Sequence, residues 1–169
     1  MTSTTIRYFA YGSNMLTRRL VERTPSARVL ATGYVEGRRL TFHKVSKDGS
    51  GKCDAEQTTN TSDRVYGVIF EIDPSERKAL DRAEGLNNGY NEAQVDVVTP
   101  SGTVPAITYV ATHKEPAMKP YRWYKSLTVA GAIEHELPLA YVEWIRAVES
   151  MEDPDVERRK NNEALLFAS

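Results

Sequence analysis

Hydrophobic positions fall into short blocks whose period changes along the chain. The first block, Ile6 to Tyr11, is continuous and aromatic and stops at Gly12-Ser13-Asn14. An apolar run ended by turn residues predicts a buried strand over Thr5–Tyr11. Leu16 and Leu20 then stand four apart, which predicts a short helix over Met15–Arg23 that stops at Pro25. Arg28–Val35 and Arg38–Val45 predict two strands joined as a hairpin at Gly37. The polar, glycine-rich Ser46–Lys52 predicts a loop. Arg64–Ile72 is largely apolar on both alternating faces, as a central strand requires. Asp73-Pro74-Ser75-Glu76 is a helix start, with Asp73 as the cap, and the helix is expected to end at Glu84-Gly85. Tyr90–Thr99 and Val104–Thr112 predict a second hairpin turning at Pro100-Ser101-Gly102. Beyond a Pro116–Pro120 linker, Trp123, Leu127 and Ala130 mark a helix over Tyr121–Glu134. Pro138 opens another, in which Tyr141, Ile145 and Val148 recur at helical spacing.

The order is strand, helix, two strands, strand, helix, two strands, two helices. Regular βαβ alternation is missing, so the expected class is α+β: a mixed, mostly antiparallel sheet that can close into a barrel, with flanking helices. One domain over residues 1–150 is expected. From Glu149 the chain is charged, with little to bury before Leu165-Leu166-Phe167. The 151–169 tail is therefore expected to be mobile or to pack only through that last cluster.

Composition narrows the function classes. The chain has 169 residues, 40% hydrophobic and 27% charged, with a formal net charge of −1. That balance gives no field to attract nucleic acid, and no apolar run reaches the roughly 20 residues of a membrane span. The start, Met1 to Thr5, has neither a basic nor an apolar signal region. Cys53 is the sole cysteine, which excludes an intrachain disulfide and points to a cytoplasmic setting. His43, His113 and His135 have no metal-ligand spacing, so neither a metal nor another cofactor is expected.

Three features carry candidate chemistry. The Tyr11-Gly12-Ser13-Asn14 turn delivers a strand into a helix. Gly12 suits close backbone approach or φ > 0, Ser13 or Asn14 can cap the helix, and its first N–H groups face an anion. Glu84 sits at a helix C-terminus beside Leu80, Ala83 and Leu86, with Asp81 three residues back. The helix dipole, desolvation and like charge all raise a carboxylate's pKa there, which suits general acid/base work near neutral pH. Tyr90, Tyr109 and Tyr124 follow on later segments and can line a small polar pocket. Gly49-Ser50-Gly51-Lys52 is not a phosphate loop, because the first glycine of a Walker pattern is absent and Cys53 follows the lysine.

Tyr8-Phe9-Ala10-Tyr11-Gly12-Ser13-Asn14-Met15 resembles the signature turn of the γ-glutamylcyclotransferase-like (AIG2-like, BtrG-like) superfamily. Leu80-Asp81-Arg82-Ala83-Glu84-Gly85, with Tyr90 shortly after, resembles its second motif. Ala130-Gly131-Ala132 and Leu137-Pro138-Leu139-Ala140-Tyr141 resemble its C-terminal helices. The resemblance covers about Ile6 to Val148 and implies a small β-barrel with flanking helices. It also implies an intramolecular reaction, in which the α-amine of a γ-glutamyl amide attacks its own γ-carbonyl and releases 5-oxoproline and an amine. Carried over, Glu84 is the general acid/base. Tyr11, Gly12, Ser13, Asn14 and Met15 bind the substrate carboxylate, and Tyr90, Tyr109 and Tyr124 line the pocket, with Tyr121 close to the last. The implied partner is a small γ-glutamyl substrate, a homodimer through the Trp123 and Trp144 helices is open, and a non-catalytic ligand-binding member is the alternative reading. Members act on γ-glutamyl amino acids, glutathione, γ-glutamyl amines or γ-glutamyl-tagged intermediates. The Lys47–Lys52 loop departs from the simplest members. Lys44, Lys47 and Lys52 are expected on a solvated loop, with contact to an acidic or phosphate-bearing leaving group as the alternative.

Overall fold

The computed structural model describes residues 4–167; Met1–Ser3 of the N-terminal stretch and the last two residues of the tail lie outside them. Five strands close a barrel: β1 (Ile6–Ala10), β2 (Arg28–Glu36), β5 (Arg64–Ile72), β6 (Tyr90–Thr99) and β7 (Gly102–Ala111), in the order β1-β5-β2-β6-β7. Neighbours are antiparallel except β1 and β7, whose parallel contact at Tyr8 and Ile107 closes the ring. The expected mixed, mostly antiparallel barrel is thus present. β5 is the central strand its pattern required, because it pairs on both edges and buries Val65, Val68, Ile69, Phe70 and Ile72. Closure leaves no unpaired barrel edge.

The expected hairpin at Gly37 does not form. β3 (Arg38–Val45) leaves the barrel and pairs with β4 (Gly51–Gln57) as a separate two-stranded sheet. β2 has both its edges taken by β5 and β6, so β3 finds its partner further along the chain. The first two residues of β4, Gly51 and Lys52, fall in the expected loop, and the sequence pattern assigns no element to the rest of the strand. Both its faces are largely covered, with Cys53 and Ala55 in the core and Lys52 and Asp54 on the alternate face, and the polar residues and glycine in so short a run hide the strand pattern. The Asp54 face is tied down by polar bonds: Asp54 Oδ1 accepts from the Ala111 amide at 2.8 Å, and Lys114 Nζ lies 3.3 Å from Oδ2.

Among the described residues, five helices flank the sheets: α1 (Thr17–Arg23), α2 (Arg77–Glu84), α3 (Arg122–Glu134), α4 (Leu139–Arg146) and α5 (Val156–Glu163). α2 begins as expected, with Asp73 accepting from the Ser75 amide at 2.9 Å and a 3-10 turn over Pro74–Glu76. It also ends as expected, at Gly85 in the left-handed region (φ 73°). The tail is ordered further than its composition suggests. Asp153, 1% exposed, accepts from Trp123 Nε1 at 2.9 Å and pairs with Arg158 at 2.6 Å. This ion pair, whose carboxylate is buried, anchors the tail at the start of α5, upstream of Leu165 and Leu166, which also pack on the core, while Phe167 stays exposed.

Candidate active site

The turn after β1 and the end of α2 meet across a cavity of about 460 Å³. Tyr11, Gly12, Ser13, Asn14, Glu84, Tyr90, Tyr109 and Tyr124 all line it. Met15 does not: it is fully buried behind the turn, with its amide donating to Gly12 O at 3.0 Å.

The turn is built differently from the sequence expectation. Ser13–Met15 form a 3-10 turn, and α1 starts only after Leu16, without a side-chain cap. Gly12 has φ −112°, so it is not left-handed; what it supplies is space. A Cβ there would stand 3.1 Å from both Cys53 Cβ and the Tyr124 hydroxyl. Behind the turn, a Cβ on Gly131 would stand 2.6 Å from the Leu16 nitrogen. α3 therefore packs directly against the turn backbone and holds it in place.

Asn14 serves Glu84 rather than a helix cap. Its Nδ2 donates to Glu84 Oε1 at 3.0 Å, and its Oδ1 accepts from Arg23 at 2.9 Å, which fixes the amide orientation. The Tyr8 hydroxyl donates to the same Glu84 oxygen. Burial raises the Glu84 pKa above its ordinary value, and Tyr8, Arg23, Asn14 and Arg19 offset part of that rise. Desolvation, one of the causes read from the sequence, is the largest. Asp81 is already engaged, by Tyr109 Oη at 2.5 Å and Arg77 at 3.4 Å.

The tyrosines shape the walls. Tyr90 donates to Cys53 O at 2.7 Å, Tyr11 donates to Tyr109 O, and Tyr124 Oη accepts from the Cys53 amide at 3.1 Å. Burial pushes the pKa of each upward, so all stay neutral hydroxyls at physiological pH. The Tyr90 bond ties β4 to the barrel, and the Tyr124 bond ties it to α3. Tyr121 instead reaches Asp48 O at 2.5 Å and does not line the cavity.

Several cavity residues escaped sequence reasoning. Tyr8 was absorbed in an apolar strand. Arg19 and Arg23 stand four apart on α1 directly after the turn, which is the signal that could have found them. Lys44 and Lys52, expected to be solvated, line the cavity with most of their surface buried, whereas Lys47 at its rim is exposed as expected. Trp123, expected at a contact face, is buried; Trp144 is half exposed. Among the described residues, no group of three or more His, Cys, Asp and Glu side chains is placed to hold a metal ion. No described helix is long and apolar enough to cross a membrane.

A family model described as the AIG2-like family matches residues 64–145. The human protein named gamma-glutamylcyclotransferase is 35% identical over 148 residues, spanning 84% of this chain and 78% of that protein. The mouse protein of the same name is 33% identical over 153 residues, spanning 88% of this chain and 81% of its own length. A solved structure named gamma-glutamyl cyclotransferase superposes with a TM-score of 0.86 at 29% identity, covering 98% of this chain and 100% of that one. On the strength of this similarity over most of its length, the chain belongs to the γ-glutamylcyclotransferase family.

Proposed function

We propose that the chain is a γ-glutamylcyclotransferase with Glu84 as its general acid/base. The observation that carries this is one carboxylate with a raised pKa, fixed by Tyr8 and Asn14 inside a cavity whose wall is the Gly12–Asn14 turn. The names of the human and mouse relatives support the same activity. The substrate carries its own nucleophile, so the enzyme's task is to fold the γ-glutamyl chain until nitrogen and carbonyl meet. The turn residues Tyr11, Gly12, Ser13 and Asn14 bind the substrate α-carboxylate, with Met15 supporting them from behind, and Tyr90, Tyr109 and Tyr124 enclose the rest. Glu84 takes a proton from the α-ammonium. The freed amine attacks the γ-carbonyl and closes the five-membered ring. The amide C–N bond then breaks as Glu84 returns the proton to the departing nitrogen, and the second proton left on the ring nitrogen passes by the same carboxylate to the freed amine, which leaves as an ammonium. Neutral hydroxyls and backbone donors steady the oxyanion in between.

The same reading takes in the coarser surroundings. The protein acts in the cytoplasm, in keeping with a lone buried thiol, and the half-exposed Trp144 is the natural centre of any homodimer face. The test is incubation with L-γ-glutamyl-L-alanine, glutathione, ε-(γ-glutamyl)-lysine and a γ-glutamyl alkylamine, scored for 5-oxoproline by mass spectrometry. Product from at least one compound is expected, unaffected by added chelator. A set without product, from protein that these compounds nonetheless stabilise against heat, would favour the ligand-binding alternative.

A further inference from the structure

The cavity is more cationic than a γ-glutamyl unit requires. Arg19, Arg23, Lys44 and Lys52 line it, and the carboxylates beside them are Glu84 and Asp48. Asp48 pairs with Lys52 at 3.2 Å. Lys44 is 8% exposed and forms no ion pair among the described residues; its ammonium lies 4.8 Å from the centre of the Tyr90 ring. Lys44 and Lys52 are also direct register partners across β3 and β4. Like charges placed opposite one another on a ladder destabilise it. Lys52 sits 4.5 Å from the Tyr124 ring centre and 4.6 Å from that of Trp123, which Arg19 also approaches at 5.9 Å. Arg19 donates to the neutral Asn162 at 3.0 Å, and its buried Nε has no hydrogen-bond partner.

Burying cations this way is unfavourable, and the cost shows as depressed basicity. Burial lowers the Lys44 pKa and brings Lys52 down to about 8 and Arg19 to about 10. The aromatic faces offset part of it. The γ-glutamyl unit brings one anion, its α-carboxylate, and its amine is neutral when it attacks. The α-carboxylate alone does not neutralise the remaining positive charge.

Building on the cyclotransferase reading, we propose that Lys44, Lys52 and Arg19 form a leaving-group subsite selective for a dianion. The preferred substrate is a γ-glutamyl amide whose amine carries a phosphate monoester or two carboxylates. Either group presents about two negative charges at neutral pH, and both meet the lysines by charge-assisted hydrogen bonds. Neither a neutral amine nor an amino acid with a single carboxylate neutralises these cations.

The test compares matched pairs. γ-Glutamyl-phosphoethanolamine is set against γ-glutamyl-ethanolamine, and γ-L-glutamyl-L-glutamate against γ-L-glutamyl-L-glutamine. The first pair reads the phosphate source of the charge and the second the carboxylate source. The expected result is a kcat/KM higher by about ten-fold or more for the dianion of at least one pair, carried mainly by KM. Lys44→Met, which removes a buried charge at similar volume, is expected to bring that ratio to within about three-fold; Lys52→Met serves as an independent second variant. The same four compounds are run as ligands in thermal-shift measurements on Glu84→Gln protein, which needs no turnover. Equal treatment of both members of each pair, with 5-oxoproline still formed, overturns the dianion subsite and leaves the cyclotransferase reading standing. Selective stabilisation by the dianions without 5-oxoproline from the wild type supports the subsite and overturns the reading of the reaction.

Discussion

The Tyr8 hydroxyl donates to Glu84 Oε1 and so joins the first barrel strand to the last residue of α2. The two residues are 76 positions apart, and Asn14 Nδ2 meets the same carboxylate oxygen at 3.0 Å. The carboxylate therefore has a fixed direction, with Oε1 held by protein donors and Oε2 without a hydrogen-bond partner among the described residues. A group that must take a proton and return it gains from this immobility, since misplacement on the order of 1 Å costs about 100-fold in rate.

Tyr8→Phe tests that tether. The bond from Tyr8 holds the Glu84 pKa down against burial, so its loss raises the pKa further. The expected outcome is a folded enzyme with kcat reduced about ten-fold or more and KM little changed. The acid limb of the pH–rate profile moves to higher pH. A profile unchanged in both height and position would remove Tyr8 from the account.

The Glu84 pKa also sets a stability prediction. A carboxyl raised by burial favours the folded state most below the unfolded value of about 4.3. That contribution is lost as pH rises through the folded pKa. At pH 7 the buried charge is a burden, which Glu84→Gln relieves. Tm of Glu84→Gln is expected above wild type at pH 7, with the difference shrinking as pH falls towards 4. Equal Tm values at both pH values would mean that the carboxylate is solvated.

Much of this arrangement was legible in the chain. The turn, the Glu84-Gly85 helix end and the doubly paired β5 all follow from local pattern, because each depends on residues close together in sequence. The β3–β4 sheet was not legible, and the reason is physical. In β4 the buried apolar residues are only Cys53 and Ala55, and Lys52 and Asp54 beside them are polar, so the hydrophobic signal is too weak to mark a strand. Gly37 carries a turn signal (φ 74°), yet the strands beside it pair elsewhere. Tyr8 was hidden for the opposite reason: it is a polar tip on a side chain that buries like core. The Asp153–Arg158 pair shows that a charged tail can still pack when one carboxylate finds a buried partner set.

Removing that partner set tests the tail. Arg158→Met leaves Asp153 buried beside Trp123 without its cation. A loss of stability is expected, below the usual cost of breaking a buried pair because the guanidinium is partly exposed. It is read as a lower urea midpoint at unchanged slope. A midpoint within error of wild type would mean that the tail is not anchored through this pair.

Gly131→Ala probes how α3 holds the turn. The new methyl group has less than 3.0 Å to the Leu16 nitrogen and to Met15 Cβ, so either the turn or the helix must shift. A cost of about 1–3 kcal/mol is expected from overpacking, measured by thermal unfolding, with kcat/KM falling because the turn lines the cavity. Full activity at wild-type Tm would show that the turn is positioned by other contacts.

The central claim is that one fixed carboxylate moves the proton of cyclisation. The measurement that bears on it most directly is 5-oxoproline release from L-γ-glutamyl-L-alanine by wild-type and Glu84→Gln protein, alongside ligand-induced stabilisation of both. Loss of at least about 100-fold in turnover is expected, with stabilisation by the substrate retained. Turnover of Glu84→Gln within a few-fold of wild type would contradict the account.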